Sequence, residues 1–212
     1  VRSPDLSEAT LAQAKELRAI IGDRPVWIAG STRDGEEVAV FQAHASVRSA
    51  FDDILLIVVP RHPERFETVS RMAMVRANHT NRRSENNPED LHKASVYIGD
   101  TMGDLAMLYA VSDVAFVGGS LVETGGQNVL EALAAGTPAI FGPHTWNFAD
   151  ICEQVAQTGA GFRVADSFEL SDKVIALLES VEDRNTATAA GERLLKENRG
   201  ATERLVAMTR EL

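Results

Sequence analysis

The densest chemistry in the chain lies in Val117-Gly118-Gly119-Ser120-Leu121-Val122-Glu123-Thr124-Gly125-Gly126-Gln127-Asn128-Val129-Leu130-Glu131. The second glycine pair leads into a helix start at Gln127 and Asn128. Main-chain N–H groups at such a start have no partner inside the helix, and they hold a phosphate without a basic side chain. Glu131 lies about one turn further in, where a carboxylate accepts two hydrogen bonds from the vicinal hydroxyls of a ribose. One short segment would thus read phosphate and ribose together. Structural glycines alone account for the Gly pairs, but not for Glu123 and Glu131 on either side of the second pair.

Other loops supply possible partners. Pro60-Arg61-His62-Pro63-Glu64-Arg65 follows the apolar run Ile54–Val59. Arg61 and Arg65 suit planar, bidentate recognition of phosphate, and Arg65 falls in a first helical turn, where a cation opposes the helix dipole. A surface pair with Glu64 is the plainer alternative. Gly30-Ser31-Thr32-Arg33-Asp34-Gly35-Glu36 fits a capped loop and an anion-facing turn equally. It is not the G-x-G-x-x-G fingerprint, and no acidic residue closes a second strand in the ribose-binding place, so a nicotinamide cofactor is not expected. In Gly99-Asp100-Thr101-Met102-Gly103, Asp100 or Thr101 can cap a helix and the glycines allow close approach to a ligand. In Gly142-Pro143-His144-Thr145-Trp146-Asn147, Asn147 can cap the next helix. His144 is either an ordinary loop histidine or a ligand contact. No HExxH or comparable cluster occurs, and no bound metal is expected.

These loops need a scaffold that gathers them. Strands are expected at 26–29, 54–59, 94–98, 114–117, 139–141 and 161–164. Helices are expected at 7–21, 36–51, 63–78, 104–111, 128–135 and 147–157. The polar stretch 80–93 reads as a loop with a short strand near Arg83. After Ser167 the chain reads as helix to its end, broken near Asp183 and Gly200. Strands alternating with helices predict an α/β fold with a doubly wound, Rossmann-like parallel sheet. Ligands in such sheets bind at the carboxyl ends of the strands, where every segment above is placed.

Composition narrows the class further. With 212 residues, 44% hydrophobic and 25% charged, the chain suits one globular domain with a real core. The net charge of -10 argues against nucleic acid as a partner and against docking on an anionic membrane through this surface. Cys152 is the single cysteine, which excludes an internal disulfide and is compatible with a reducing cytosol. No apolar run approaches the ~20 residues of a membrane-spanning helix. The start, Val1-Arg2-Ser3-Pro4, has neither an initiator Met nor a signal pattern; a longer or processed gene product is expected.

Six segments in order carry a family resemblance: Gly30-Ser31-Thr32 with Gly35-Glu36-Glu37; Pro60-Arg61-His62-Pro63-Glu64-Arg65; Gly99-Asp100-Thr101-Met102-Gly103-Asp104-Leu105; Phe116-Val117-Gly118-Gly119-Ser120-Leu121; Gly125-Gly126-Gln127-Asn128 with Leu130-Glu131; and Gly142-Pro143-His144 with Asn147-Phe148. Together, over about Gly30 to Val164, they resemble the C-terminal domain of 3-deoxy-D-manno-octulosonic acid (Kdo) transferases, one half of a B-type glycosyltransferase. Glu123 and Glu131 also resemble the paired glutamates of such donor domains. Gln127 stands where the family commonly has histidine, and Val129 where it commonly has proline.

The resemblance implies a nucleotide-sugar donor-binding domain over residues 1–212, with 183–212 a helical tail that packs here or crosses to an N-terminal domain outside this chain. It implies CMP-Kdo as donor, a lipid A precursor as acceptor, inverting transfer in lipopolysaccharide biosynthesis, and no metal or other cofactor. It places the enzyme at the cytoplasmic face of the bacterial inner membrane. The general base, the acceptor contacts and the membrane contact belong to the N-terminal domain, so no catalytic residue is expected here and this chain alone is expected to be inactive. Gly125, Gly126, Gln127, Asn128, Arg61 and Arg65 are expected to meet the donor phosphate, and Glu131 the ribose. Ser31, Pro60, His62, Gly99, Thr101, Met102, Gly103, Ser120 and Glu123 are expected to line the base or sugar pocket. The alternatives are another nucleotide-sugar enzyme of the fold, such as a UDP-sugar epimerase or hexosaminyl transferase, and a non-catalytic nucleotide-binding module. A receiver domain is disfavoured, because no acidic cluster follows the first strand.

Overall fold

The computed structural model describes residues 6–77, 79–85 and 87–210, with side chains through residue 198 apart from 88 and 89. Helix α1 (Glu8–Ile21) opens on Ser7, whose hydroxyl accepts from the Thr10 amide at 3.1 Å. It closes on Gly22, whose N–H reaches the Arg18 carbonyl at 2.8 Å. Seven strands then form one sheet: β1 (Val26–Thr32), β2 (Leu55–Pro60), β3 (Thr80–Arg82), β4 (Val96–Ile98), β5 (Val114–Val117), β6 (Ala139–Phe141) and β7 (Gly161–Arg163). Every pairing is parallel and the order is β3-β4-β2-β1-β5-β6-β7. The chain builds outward from β1 through β2 to β4 and β3, then returns to the other side of β1 with β5. That reversal opens a crevice between the carboxyl ends of β1 and β5, the place where such sheets bind ligands.

Side-chain alternation along the strands fills two cores. Ile28, Ile57 and Val117 face α1, α5 (Leu105–Ala110), α6 (Leu130–Ala134) and α7 (Ala149–Gln157). Trp27, Ala29, Leu56, Val58 and Phe116 face α2 (Glu36–Ala50), α3 (Phe66–Arg76) and α8 (Ser167–Glu179). The strands of the middle are buried on both faces, which is why Ile54–Val59 is apolar without alternation.

Several expectations are corrected. The short strand expected near Arg83 is β3, at the sheet edge, but the rest of 80–93 is more than a loop: a 3-10 turn covers Arg83–Glu85 and helix α4 spans Pro88–Leu91. β3 has no apolar alternation; its central residue, Asn81, is buried and donates to the Asn87 carbonyl at 3.1 Å. The helix expected over 128–135 shrinks to α6, because the Asn128 side chain accepts from the Leu130 amide at 3.2 Å and the helix begins there. The break expected near Asp183 falls at Ser180, and the last helix, α9 (Val181–Arg210), runs through Gly200. A glycine inside a helix costs only about 1 kcal/mol relative to alanine, too little to break one anchored elsewhere. The first half of α9 supplies that anchor here: Ala187, Ala190, Leu194 and Leu195 are buried, and the Thr188 hydroxyl donates to the Gly136 carbonyl at 3.0 Å. Among the described residues no helix is long and apolar enough to cross a membrane.

Candidate functional site

β1 ends in a distortion. Its register with β2 slips between Gly30 and Thr32, and the residue in the slip, Ser31, has φ 56°. A non-glycine residue in this left-handed region is strained by about 1–2 kcal/mol, and such strain clusters at functional positions. Ser31 is buried, and its side chain borders a cleft of about 310 Å³ at the carboxyl ends of the strands.

Three further loops complete the cleft. Pro60 and Arg61 come from the end of β2, Thr101, Met102 and Gly103 from the turn after β4, and Gln127, Asn128 and Glu131 from the start of α6. Residues to which sequence patterns assign no place in the site add apolar wall: Val59, Phe66, Leu105, Tyr109 and Phe148. Phe66 and Leu105 are first residues of helices, and Phe148 directly precedes one. Their role emerges only when the helices meet at one sheet edge. Met102 stands 68% exposed at the cleft.

The electrostatics of the cleft are asymmetric. Arg61 is exposed, and among the described residues its guanidinium has no hydrogen bond or ion pair; only its amide is engaged, with the Thr32 carbonyl at 3.0 Å. Glu131 is half-buried in the same cleft. Burial pushes its carboxyl above the usual range, while a hydrogen bond with Asn128 and the charge of Arg61 pull it back. The amides of Gln127 and Asn128 donate to no group among the described residues.

The remaining expected residues are placed differently. Gly126 donates its amide to the Gly119 carbonyl at 2.7 Å, so it holds the loop rather than presenting a free N–H. Gly125 has φ 90°, and a β-carbon there would meet Asn147 and come within 2.7 Å of Trp146 Nε1. Asn147 does not cap α7; its amide pins the Gly125 carbonyl at 3.1 Å and its side chain reaches the Thr124 carbonyl at 3.3 Å. Arg65 lies outside the cleft, held by Asp34 at 2.5 Å and by the fully buried Glu37 at 2.9 Å. Those partners explain a cation in a first helical turn. His62 does not line the cleft either; it contacts Arg33. Gly99 is a packing glycine: a β-carbon would come within 2.8 Å of Leu108 and 2.9 Å of Val59. Ser120 is buried, its hydroxyl donating to the Val117 carbonyl at 2.6 Å and accepting from the Gly142 amide at 2.8 Å. Glu123 is exposed and does not line the cleft.

Neither Asp100 nor Thr101 caps α5. The Thr101 hydroxyl donates to Asp104 at 2.5 Å. Asp100 accepts from the Ser84 amide and hydroxyl at 2.8 and 2.6 Å and from Arg82 at 2.8 Å. Burial alone would raise the Asp100 carboxyl, but Ser84 and Arg82 outweigh it and hold it below the usual value. Arg83 grips Asp104 at 3.0 Å, so the 3-10 turn after β3 fixes the 100–104 turn that faces the cleft.

The least expected group is Glu36, at the first turn of α2 and wholly buried. Its Oε2 accepts from the Gly119 amide at 2.7 Å and the Arg33 amide at 3.1 Å. Its Oε1 accepts from the Ser120 amide at 3.0 Å and the Leu121 amide at 2.9 Å. The first glycine-rich turn after β5 is thus an anion cradle filled by the chain's own carboxylate. Burial pushes this carboxyl above the usual range, and the four amides oppose the shift. Within Gly35-Glu36-Glu37 the sequence assigns Glu36 no role, because its partners in the turn lie more than 80 residues away.

Comparison with known proteins gives a consistent picture. The family model for glycosyl transferases group 1 matches residues 80–194. The 3-deoxy-D-manno-octulosonic acid transferase of Haemophilus influenzae is 40% identical over 185 residues, covering 87% of this chain and 43% of that protein. That of Bordetella pertussis is 37% identical over 187 residues, covering 85% and 43% respectively. The chain therefore spans less than half the length of these relatives. A crystal structure of the C-terminal CMP-Kdo binding domain of WaaA from Acinetobacter baumannii superposes with a TM-score of 0.83 at 34% identity, covering 89% of this chain and 99% of that one.

Proposed function

Because the chain belongs to the Kdo transferase family of group 1 glycosyl transferases, we propose that its cleft seats CMP-Kdo, the donor for transfer of Kdo to a lipid A precursor. The observation that carries the reading is the pairing, in one cleft at the sheet's reversal, of the unpaired Arg61 guanidinium with the half-buried Glu131 carboxylate. Arg61 and the amides of Gln127 and Asn128 meet the donor phosphate. Glu131 accepts from the ribose hydroxyls.

The transfer is a direct displacement that inverts the anomeric centre. The acceptor hydroxyl loses its proton to a base on the N-terminal half of the enzyme, and its oxygen forms the new bond to the anomeric carbon of Kdo. The bond from that carbon to the phosphate oxygen breaks, and its electron pair leaves with CMP. Groups already aimed at that phosphate stabilise the charge that develops there, which lowers the barrier more than it tightens substrate binding. No resident metal or other cofactor enters the scheme. In this reading the acceptor and membrane contacts lie in the N-terminal half, the reaction takes place at the cytoplasmic face of the inner membrane, and this chain alone has no transferase activity.

The test is a calorimetric titration of the chain with CMP and with UDP, repeated on Glu131→Ala. CMP is expected to bind preferentially, and the variant to bind it about 10- to 100-fold more weakly, the equivalent of one or two charge-assisted hydrogen bonds. A clear preference for UDP, or undiminished CMP affinity in the variant, refutes the assignment.

A further inference from the structure

Two hydroxyls in the cleft wall are used by nothing among the described residues. Ser31 is 7% exposed and Tyr109 1% exposed, and both border the cleft. Among the described residues neither side-chain oxygen has a hydrogen-bond partner. Both are therefore available to a ligand that enters the cleft. Tyr109 reaches beneath the end of β1, where a β-carbon on Gly30 would strike its hydroxyl. The absence of a side chain at Gly30 is therefore what leaves room for the phenol. Burial pushes the phenol above its usual range, and the nearby charge of Glu131 pushes it further. It is a neutral hydroxyl at every working pH.

The chemistry of these neighbours is complementary to one kind of ligand atom. An ionised Glu131 only accepts hydrogen bonds, whereas a neutral phenol has a proton to donate. A ligand hydroxyl between them donates to Glu131 and accepts from Tyr109, so both are satisfied at once. A phosphate or carboxylate oxygen in that position would face the Glu131 charge, and Arg61 offers it a better place. We propose that Tyr109, acting with Glu131, reads a ribose hydroxyl of the nucleotide and makes the cleft select ribonucleotides over deoxyribonucleotides. The inference rests on the donor-site reading above and adds a specificity-determining residue to it.

The experiment titrates the whole 212-residue chain and its Tyr109→Phe variant with CMP, 2′-deoxy-CMP and 3′-deoxy-CMP, and records thermal midpoints of both proteins. The wild type should bind CMP about tenfold more tightly than at least one deoxy analogue, since the analogue leaves the buried Tyr109 hydroxyl and the half-buried Glu131 carboxylate without that partner. Tyr109→Phe should weaken CMP binding by about 2- to 12-fold, the worth of one neutral hydrogen bond, and leave affinity for that analogue within about twofold. Its midpoint should stay level or rise, because the hydroxyl removed has no partner among the described residues. Equal wild-type binding of CMP and both analogues overturns the inference. So does a variant that binds CMP undiminished, or that loses affinity for CMP and the analogue alike. Failure of the wild type to bind CMP at all overturns the donor-site reading instead.

Discussion

Replacing Glu36 with glutamine changes one oxygen to an amino group and almost no volume. Each carboxylate oxygen accepts from two backbone amides, so whichever oxygen is replaced, two buried N–H groups come to face another donor. An unsatisfied buried N–H costs about 1–3 kcal/mol, which gives a loss of about 4 kcal/mol. For a chain of this length each kcal/mol lowers the thermal midpoint by about 2–4 °C, so Glu36→Gln should melt about 8–16 °C below wild type at neutral pH. Differential scanning calorimetry reads this directly. The turn held by Glu36 also carries the Gly119 carbonyl, which accepts from the Gly126 amide at 2.7 Å and the Thr124 hydroxyl at 2.9 Å. Nucleotide affinity should therefore fall with stability. A midpoint within about 2 °C of wild type would refute the reasoning. It would mean that the carboxyl is protonated in the folded state, a form that glutamine imitates, and that burial outweighs the four amides.

Two other changes separate structure from binding. Arg65→Ala should cost about 3–5 kcal/mol of stability by leaving the buried Glu37 charge without its cation, yet change CMP affinity little; a large affinity loss at unchanged midpoint would return Arg65 to the phosphate. CMP affinity should rise with pH as Glu131 loses its proton, above the ordinary glutamate value of about 4.3 because burial raises the carboxyl. The sign follows from the ionised form being the better acceptor of ribose hydroxyls. Glu131→Gln should flatten that part of the profile, and an unchanged slope in calorimetric titrations would detach the residue from the ribose.

Periodicity and loop composition were enough to specify a doubly wound parallel sheet. The apolar run at Ile54–Val59, the capping residue Ser7 and the closing Gly22 are local signals, written in neighbouring residues. The location of the cleft was equally legible, because ligands gather at strand carboxyl ends whatever the sequence. Ser31, Arg61, Met102, Gln127 and Glu131 were named from that rule and do border the cleft. The strand β3 was legible only as a short strand near Arg83, since a polar edge strand has no apolar period to fix its bounds. How neighbouring groups divide their duties was out of reach for a different reason. Arg61 and Arg65 are alike in type and four apart, but one is unpaired and the other is closed off by Asp34 and Glu37 from another part of the chain. The two glycine-rich turns after β5 look alike as anion cradles, yet Glu36 fills the first while the amides of Gln127 and Asn128, beyond the second, donate to no group among the described residues. The partners that separate such equivalents lie tens of residues away and meet only when the sheet closes, so no local pattern records them.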